Sequence, residues 1–145
     1  MARDEALVGG AVFVLDRDGD LDVYANAACA AGSMEFLMVE DGEFVAAYRV
    51  DGAVLAIGSV RDEERVVLTL TGEVDADALR ALVDDAVRRS PAGIFMAGVV
   101  TPLDYAEAWF LREWNRRWVR WPHWLDRWLH GAGPWSREQL QPARR

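Results

Sequence analysis

Few side chains in this sequence are of the types that catalyse reactions or bind metals. The chain has one cysteine and two histidines, and all 16 of its basic residues are arginine. The cysteine, Cys29, lies among alanines with no basic neighbour in sequence, whereas a reactive thiol needs positive charge nearby. His123 and His130 are two imidazoles without a third ligand, which falls short of a zinc site. We therefore predict no catalytic residue, no metal site and no cofactor, and we interpret the chain as a non-enzyme.

Carboxylates are abundant, but their spacing does not match a known metal-binding motif. Asp16, Asp18 and Asp20 resemble the start of a calcium loop, which requires glycine at its sixth position and a bidentate glutamate at its twelfth. Counted from Asp16, those positions hold Leu21 and Ala27. We interpret the three aspartates as a solvated turn.

The charges divide the chain into an acidic body and a basic end. Residues 1–110 contain 8 Arg and 21 Asp or Glu, a net charge of −13. Residues 111–145 contain 8 Arg and 3 acidic residues, a net charge of +5, and the whole chain carries −8. Six of the seven tryptophans also lie in the basic end. Such asymmetry is typical of a segment that binds a partner or folds back onto the acidic body.

The tryptophans follow a helical spacing. Six large apolar residues recur three or four positions apart, which predicts one apolar helix stripe with arginines opposite: Leu111, Trp114, Trp118, Trp121, Leu125 and Trp128. A helical wheel of residues 103–121 places Tyr105 and Trp109 off this stripe, among the arginines. Burying four or five such side chains removes roughly 800 Å² from water, more than the largest exposed patch of a typical monomer. The stripe must therefore be covered by its own sheet, a second copy, another protein or a membrane surface.

Tryptophan and arginine are the residues enriched at binding hot spots, so this region supplies the candidate partner-binding residues. They are Trp109, Arg112, Arg116, Arg120, Trp124 and Trp135. We expect a protein partner, such as a basic toxin, or self-association, and we expect no nucleic acid because the net charge opposes it. A membrane-surface helix at 103–130 also fits the composition, although an anionic surface would repel the acidic body.

Apolar alternation and turn residues predict an α+β domain. Asp18-Gly19 and Asp51-Gly52 mark hairpin turns, and consecutive hairpins favour an antiparallel sheet of about five strands with helices on one face. Asp75 is the predicted N-cap of the best-defined helix, which Ser90-Pro91 ends. The predicted elements are strands at 11–15, 21–24, 44–50, 53–60 and 65–70 and helices at 27–38 and 75–89, with 94–100 either a strand or a buried connector.

The C-terminal quarter is predicted to be a long Trp-rich helix within residues 101–131. It starts at Thr101-Pro102 and is kinked near Pro122, because proline removes an amide donor and disfavours helix at the residue before it. We expect residues 1–131 to form a single domain and residues 132–145 a flexible tail. The N-terminus lacks the basic lead-in of a signal peptide and the apolar runs are too short to span a bilayer, so we expect a cytoplasmic protein.

Residues 41–55, DGEFVAAYRVDGAVL, place an acidic turn before a strand that contains tyrosine, followed by Asp-Gly and a second strand. This pattern resembles a segment of small, mostly uncharacterised actinobacterial α+β proteins, some of which look like immunity proteins that bind and block a toxin. With the next strand and the helix at 75–89, the resemblance covers about half the chain, and it carries over no functional residue. It implies a non-enzymatic protein-binding module of the immunity or inhibitor type. The alternatives are a homodimeric structural protein and a peripheral membrane protein that uses residues 103–130.

Overall fold

The computed structural model describes residues 9–90, 101–118 and 134–143. These residues form a five-stranded antiparallel sheet with helices, which confirms the α+β class and the strand number. The elements in chain order are β1 (Val12–Asp16), β2 (Leu21–Tyr24), α1 (Ala27–Ser33), α2 (Phe36–Glu40), β3 (Phe44–Arg49), β4 (Ala53–Val60), β5 (Arg65–Val74), α3 (Ala76–Arg89), α4 (Pro102–Trp118) and α5 (Arg137–Leu140).

The strand order across the sheet is β2-β1-β3-β4-β5, and each neighbouring pair is antiparallel. The interior position of β1 follows from its composition, because Val12 to Leu15 is apolar at every position and such a strand needs cover on both faces. The short β2 and the long β5 are left at the two edges.

The turn between β1 and β2 is built around one aspartate. Oδ1 of Asp16 accepts hydrogen bonds from the backbone N–H groups of Asp18 and Asp20, each at 2.9 Å. Gly19 takes a φ of +89°, which glycine adopts without strain. In the part of the chain that the structure describes, no group of His, Cys, Asp and Glu side chains is arranged to hold a metal ion.

The hairpin between β3 and β4 carries the start of α3. Gly52 has a φ of +89°, and a Cβ placed on it would lie 2.6 Å from the Cα of Ala76. The backbone N–H of Asp75 donates to the carbonyl oxygen of Gly52 at 2.9 Å, and Oδ1 of Asp75 accepts from the N–H of Ala78 at 3.0 Å. The predicted N-cap is therefore confirmed, and the glycine allows the helix to begin in contact with the turn.

Helices cover both faces of the sheet, so the predicted placement on one face is wrong. Phe13 of β1 packs in a core with Leu79 of α3 and Tyr105 of α4. Val12 and Val14 point the other way, into a second core that α1 completes. Alternation along an all-apolar β1 creates two apolar faces, and a single helical layer would have left one of them in water.

The helix predicted from residue 27 to about residue 38 is broken into α1 and α2. Asn26 caps α1 as predicted, since its Oδ1 accepts from the N–H of Cys29 at 2.8 Å. Met34 and Glu35 then adopt extended backbone, and Met34 is buried in the second core. Gly32 and Ser33 have low helix propensity, so the chain leaves the helix there and buries the methionine.

The described part of the predicted tail is docked against the sheet. The carbonyl oxygen of Leu140 accepts from the N–H of Ala11 at 2.8 Å, and the Leu140 side chain is fully buried with the core of α3 and α4. Arg137 donates to Asp104 at 2.6 Å, and this hydrogen bond holds the pKa of the Asp104 carboxyl below its ordinary value. Residues 134–143 are thus a packed segment where we expected a flexible tail.

Several predictions for the Trp-rich region fall where the structure gives no description. Helix α4 ends at Trp118, and the remainder of segment 101–131, with the kink expected near Pro122, lies outside the described residues. The strand or connector at 94–100 also lies outside them. Among the described helices, none combines the length and apolar character needed to cross a membrane.

Candidate functional site

Helix α4 presents Tyr105 and Ala106 to the sheet. Its start is fixed by reciprocal caps, because Thr101 Oγ1 accepts from the N–H of Asp104 at 3.1 Å and Asp104 Oδ2 accepts from the N–H of Thr101 at 3.2 Å. Tyr105 is 3% exposed, and its ring centroid lies 6.2 Å from that of Phe13 in β1. Ala106 is fully buried, so its small side chain lets the helix approach the sheet closely.

This packing differs from the predicted apolar stripe. Trp114 is 8% exposed, as a core position on the stripe should be, but Leu111 is 50% exposed. Tyr105, which the wheel placed among the arginines, is buried instead. A helical wheel identifies the buried face from the positions of large apolar residues. The observed contact is instead centred on Ala106, whose small side chain lets α4 approach the sheet closely.

Three of the predicted partner-binding residues have described side chains. Trp109 is partly buried against the first core, with its ring centroid 6.3 Å from that of Tyr105. Arg112 is partly exposed one turn further along the helix. Trp135 is 40% exposed in the segment that leads into α5.

The structure does not bring the full predicted set together. Arg116 lies within α4, but its side chain is outside the description, as are Arg120 and Trp124 as whole residues. The partner-binding role of these three residues therefore stays a prediction. Of the six candidates, Trp109 lines a cavity that the structure describes.

That cavity, which we call the acidic cleft, has a volume of about 320 Å³. It lies between the β1–β2 turn, the C-terminal end of α3 and the first turns of α4. The polar and aromatic residues that define it are Asp16, Asp20, Asp22, Arg89, Tyr105 and Trp109. Three carboxylates outnumber the one guanidinium of the lining, which favours a cation over an anion or a neutral ligand.

The carboxylates of the cleft repel one another. Burial, together with the negative charges of Asp16 and Asp20, raises the pKa of the Asp22 carboxyl above its ordinary value. Within the described residues no ion pair includes Asp20 or Asp22. With three carboxylates and one guanidinium, the lining of the cleft carries a net negative charge among the described residues.

One arginine of the cleft is already committed to the fold. Arg89 donates from one NH2 group to the carbonyl oxygen of Gly19 at 2.6 Å and from Nε to Asp85 at 2.9 Å. It therefore ties the end of α3 to the β1–β2 turn and pairs with a carboxylate outside the cleft lining. This guanidinium does not form an ion pair with the three cleft aspartates.

The aromatic wall is the buried side of α4. Burial raises the pKa of the Tyr105 hydroxyl, and the positive charges of Arg112 and Arg89 partly oppose that rise. Tyr105 and Trp109 stack in a tilted geometry, with 32° between their ring planes. An aromatic face beside carboxylates is the usual environment for a bound ammonium or guanidinium group.

Sequence reasoning missed most of this site. The spacing of Asp16, Asp18 and Asp20 predicts a solvated turn, and Asp18 and Asp20 are exposed, but it does not predict that Asp16 and Asp20 line a cleft with Asp22. The alternation of β2 gives no signal for the site, because it places Asp22 on the opposite face from Leu21 and Val23, which pack with α3 and α4. No protein-family model, curated protein or solved structure matches this chain.

Proposed function

We propose that this protein is a binding module that takes a cationic side chain of a basic protein partner into the acidic cleft. The observation that carries the proposal is the set of three carboxylates that line the cleft beside Tyr105 and Trp109 and that form no ion pair with any residue the structure describes. An arginine or lysine entering the cleft would gain charge-assisted hydrogen bonds from the carboxylates and a cation–π contact with the partly exposed Trp109. The immunity or inhibitor role implied by the resemblance is consistent with such a site.

The charge of the whole body supports the same partner class. Residues 1–110 carry a net charge of −13, so a basic protein is attracted over long range before it docks. A basic toxin would be drawn to this body, and the cleft would then set its orientation. The acidic body supplies association rate, and the cleft supplies specificity.

The described part of the Trp-rich helix gives less support to membrane attachment. Tyr105, Ala106 and Trp114 are buried inside the domain, and among the described side chains of α4 Leu111 is the most exposed large apolar residue. A helix lying on a membrane needs a continuous apolar face that is free to enter the interface. We therefore favour the protein-binding function over the membrane-surface alternative.

The test uses an arginine tetrapeptide as a probe and isothermal titration at low ionic strength. The variant Asp20→Asn/Asp22→Asn (D20N/D22N) removes two charges from the cleft, and we expect its affinity for the probe to fall about tenfold. The matched control, Asp62→Asn/Glu63→Gln, removes two charges from the exposed turn before β5 and should bind like the wild type. Binding should weaken as salt is raised, because exposed charges are screened beyond about 10 Å at 0.1 M.

An equal loss of affinity in both variants would show that the probe senses net charge alone, and would contradict the cleft proposal. The same pair of variants then tests a protein partner. A basic protein recovered from the native host with the wild type should also be recovered with the control variant and lost with D20N/D22N.

A further inference from the structure

Arg89 is the one positively charged residue in the described lining of the acidic cleft. It is the last residue of α3, and its side chain is half exposed. Its hydrogen bond to the carbonyl oxygen of Gly19 joins residues that are 70 positions apart in the sequence. Because a positive charge in the wall of a cation site repels the incoming cation, charge alone gives no reason for an arginine at this position.

The β1–β2 turn closes on itself through Asp16. Oδ1 of Asp16 accepts from the backbone N–H groups of Asp18 and Asp20. The N–H of Gly19 also donates to the carbonyl oxygen of Asp16, at 3.1 Å. These bonds fix the shape of the turn, whereas the bond from Arg89 to the Gly19 carbonyl fixes where the turn lies relative to α3.

The position of this turn matters because it carries two of the cleft carboxylates, Asp16 and Asp20. In the described part of the chain, the four-residue strand β2 pairs on one side only, with β1. A bond from α3 to the tip of the hairpin therefore restrains an end that the sheet holds from one side. A displacement of about 1 Å is enough to take a carboxylate out of hydrogen-bonding distance of a bound cation.

The charge of Arg89 is partly balanced outside the cleft. Its Nε lies 2.9 Å from Oδ2 of Asp85, one helical turn earlier, and Asp85 is not among the residues that line the cleft. An ion pair repels a third charge less than an isolated cation does, because the contributions of its two members oppose each other. The bond to Gly19 thus keeps its effect on geometry while the repulsion is reduced.

We propose that Arg89 is a positioning residue of the acidic cleft, which strengthens the binding of a cationic side chain by holding the β1–β2 turn in place. The inference rests on the proposed function, because it concerns binding in the same cleft. Its consequence is opposite in sign to the effect of charge. Removal of this positive charge weakens cation binding, although it makes the cleft more negative.

The test measures binding of the arginine tetrapeptide by isothermal titration at low ionic strength. Arg89→Gln (R89Q) removes the charge and the bond to Gly19, and we expect its affinity to fall about fivefold. Arg88→Gln (R88Q) is the matched control, since Arg88 is the preceding residue of α3, lies 3.6 Å from the same Asp85 and is outside the cleft lining. It makes the same change in net charge and should bind the probe as the wild type does, or slightly more tightly.

Two further measurements separate positioning from a general loss of structure. If Arg89 acts through the cleft carboxylates, R89Q should have little further effect in D20N/D22N, where two of those carboxylates are already neutral. The affinity of R89Q should also fall less steeply with salt than that of the wild type, because fewer carboxylates reach the probe. Circular dichroism of each variant shows whether the fold is retained.

The proposal is overturned by an R89Q variant that binds the probe as tightly as R88Q does, because charge would then decide the affinity. It is also overturned by an R89Q effect of equal size in the wild-type and D20N/D22N backgrounds. Weaker binding in R89Q, with R88Q unchanged and the effect lost in D20N/D22N, supports it. A wild type that binds the probe no better than D20N/D22N contradicts the proposed function and this inference together, whereas the first two results overturn this inference alone.

Discussion

Asp22 would link the proposed binding function to a cost in stability. It lies on the edge strand β2, between two buried residues, and close to the charges of Asp16 and Asp20. Its raised pKa means that the folded state disfavours the ionised carboxylate relative to the unfolded chain. A bound cation would reverse that preference, because opposite charge stabilises the ionised form. The ionised form of Asp22 is therefore less favourable in the free protein than it should be in the complex.

The first prediction concerns the stability of Asp22→Asn as a function of pH. Since the folded-state pKa is above the unfolded one, ionisation of Asp22 destabilises the fold as the pH rises through these values. The variant should be more stable than the wild type at pH 7, with a rise in Tm of about 2 °C once solvent screening is allowed for. At pH 3, where the aspartate is largely protonated in both states, the difference should disappear.

Thermal unfolding followed by circular dichroism at the two pH values measures this difference. Asp18→Asn is the control, because Asp18 is exposed in the same turn and its substitution should leave Tm unchanged. A variant that is less stable than the wild type at pH 7 would mean that the Asp22 carboxylate contributes to the fold, contrary to the raised pKa.

At the scale of elements, α5 closes the core on the α3 face. Leu140 is fully buried, with a backbone hydrogen bond that joins it to the residue before β1. Gly10 makes this approach possible, since it has a φ of +91° and a Cβ there would lie 2.7 Å from the backbone nitrogen of Pro142. A helix of four residues is therefore held by its packing and caps, and not by its length.

We predict that Leu140→Ala lowers the free energy of unfolding by about 3 kcal/mol, because it leaves a cavity in a closed core. Glu138→Ala in the same helix removes an exposed side chain and should change stability by less than about 0.5 kcal/mol. Urea denaturation of both variants measures the difference. Similar values for the two variants would show that residues 134–143 do not contribute to the core in solution.

The strands could be predicted from sequence because their signals are local. Asp18-Gly19 and Asp51-Gly52 supply turn chemistry, and the residues beside them are apolar and β-branched, so bounds and pairing follow. The break between α1 and α2 is harder to predict from the sequence. Low propensity at Gly32 and Ser33 weakens the helix, but the burial of Met34, which completes the break, depends on strands that follow later in the chain.

The acidic cleft could not be assembled from sequence, because its walls come from three distant elements. Asp20 and Asp22 belong to the first hairpin, Arg89 to the end of α3, and Tyr105 with Trp109 to α4. Each element alone has an ordinary interpretation as a turn, a polar helix end or an amphipathic helix. The site depends on which side of α4 meets the sheet, and Ala106 decides that through close packing, which hydrophobicity does not reveal.

For the whole molecule, the acidic cleft lies at one edge of the sheet, beside β2, and β5 lies at the opposite edge, with three strands between them. Substitutions at distant sites without shared partners act independently. We therefore predict that Arg65→Glu, at the start of β5, leaves the affinity for the arginine probe unchanged. Isothermal titration measures this, and an effect above about threefold would show that the two edges of the sheet communicate.

The hydrogen bond between Ala11 and Leu140 also has a consequence for the order of folding. It joins the two ends of the described chain, and closing so long a loop is entropically the most expensive of the contacts around β1. The hairpins can form from neighbours in sequence, whereas this bond must wait for nearly everything between its partners. The amide of Ala11, immediately before the interior strand β1, should then exchange its hydrogen whenever the C-terminal segment opens, well before the rest of the sheet unfolds.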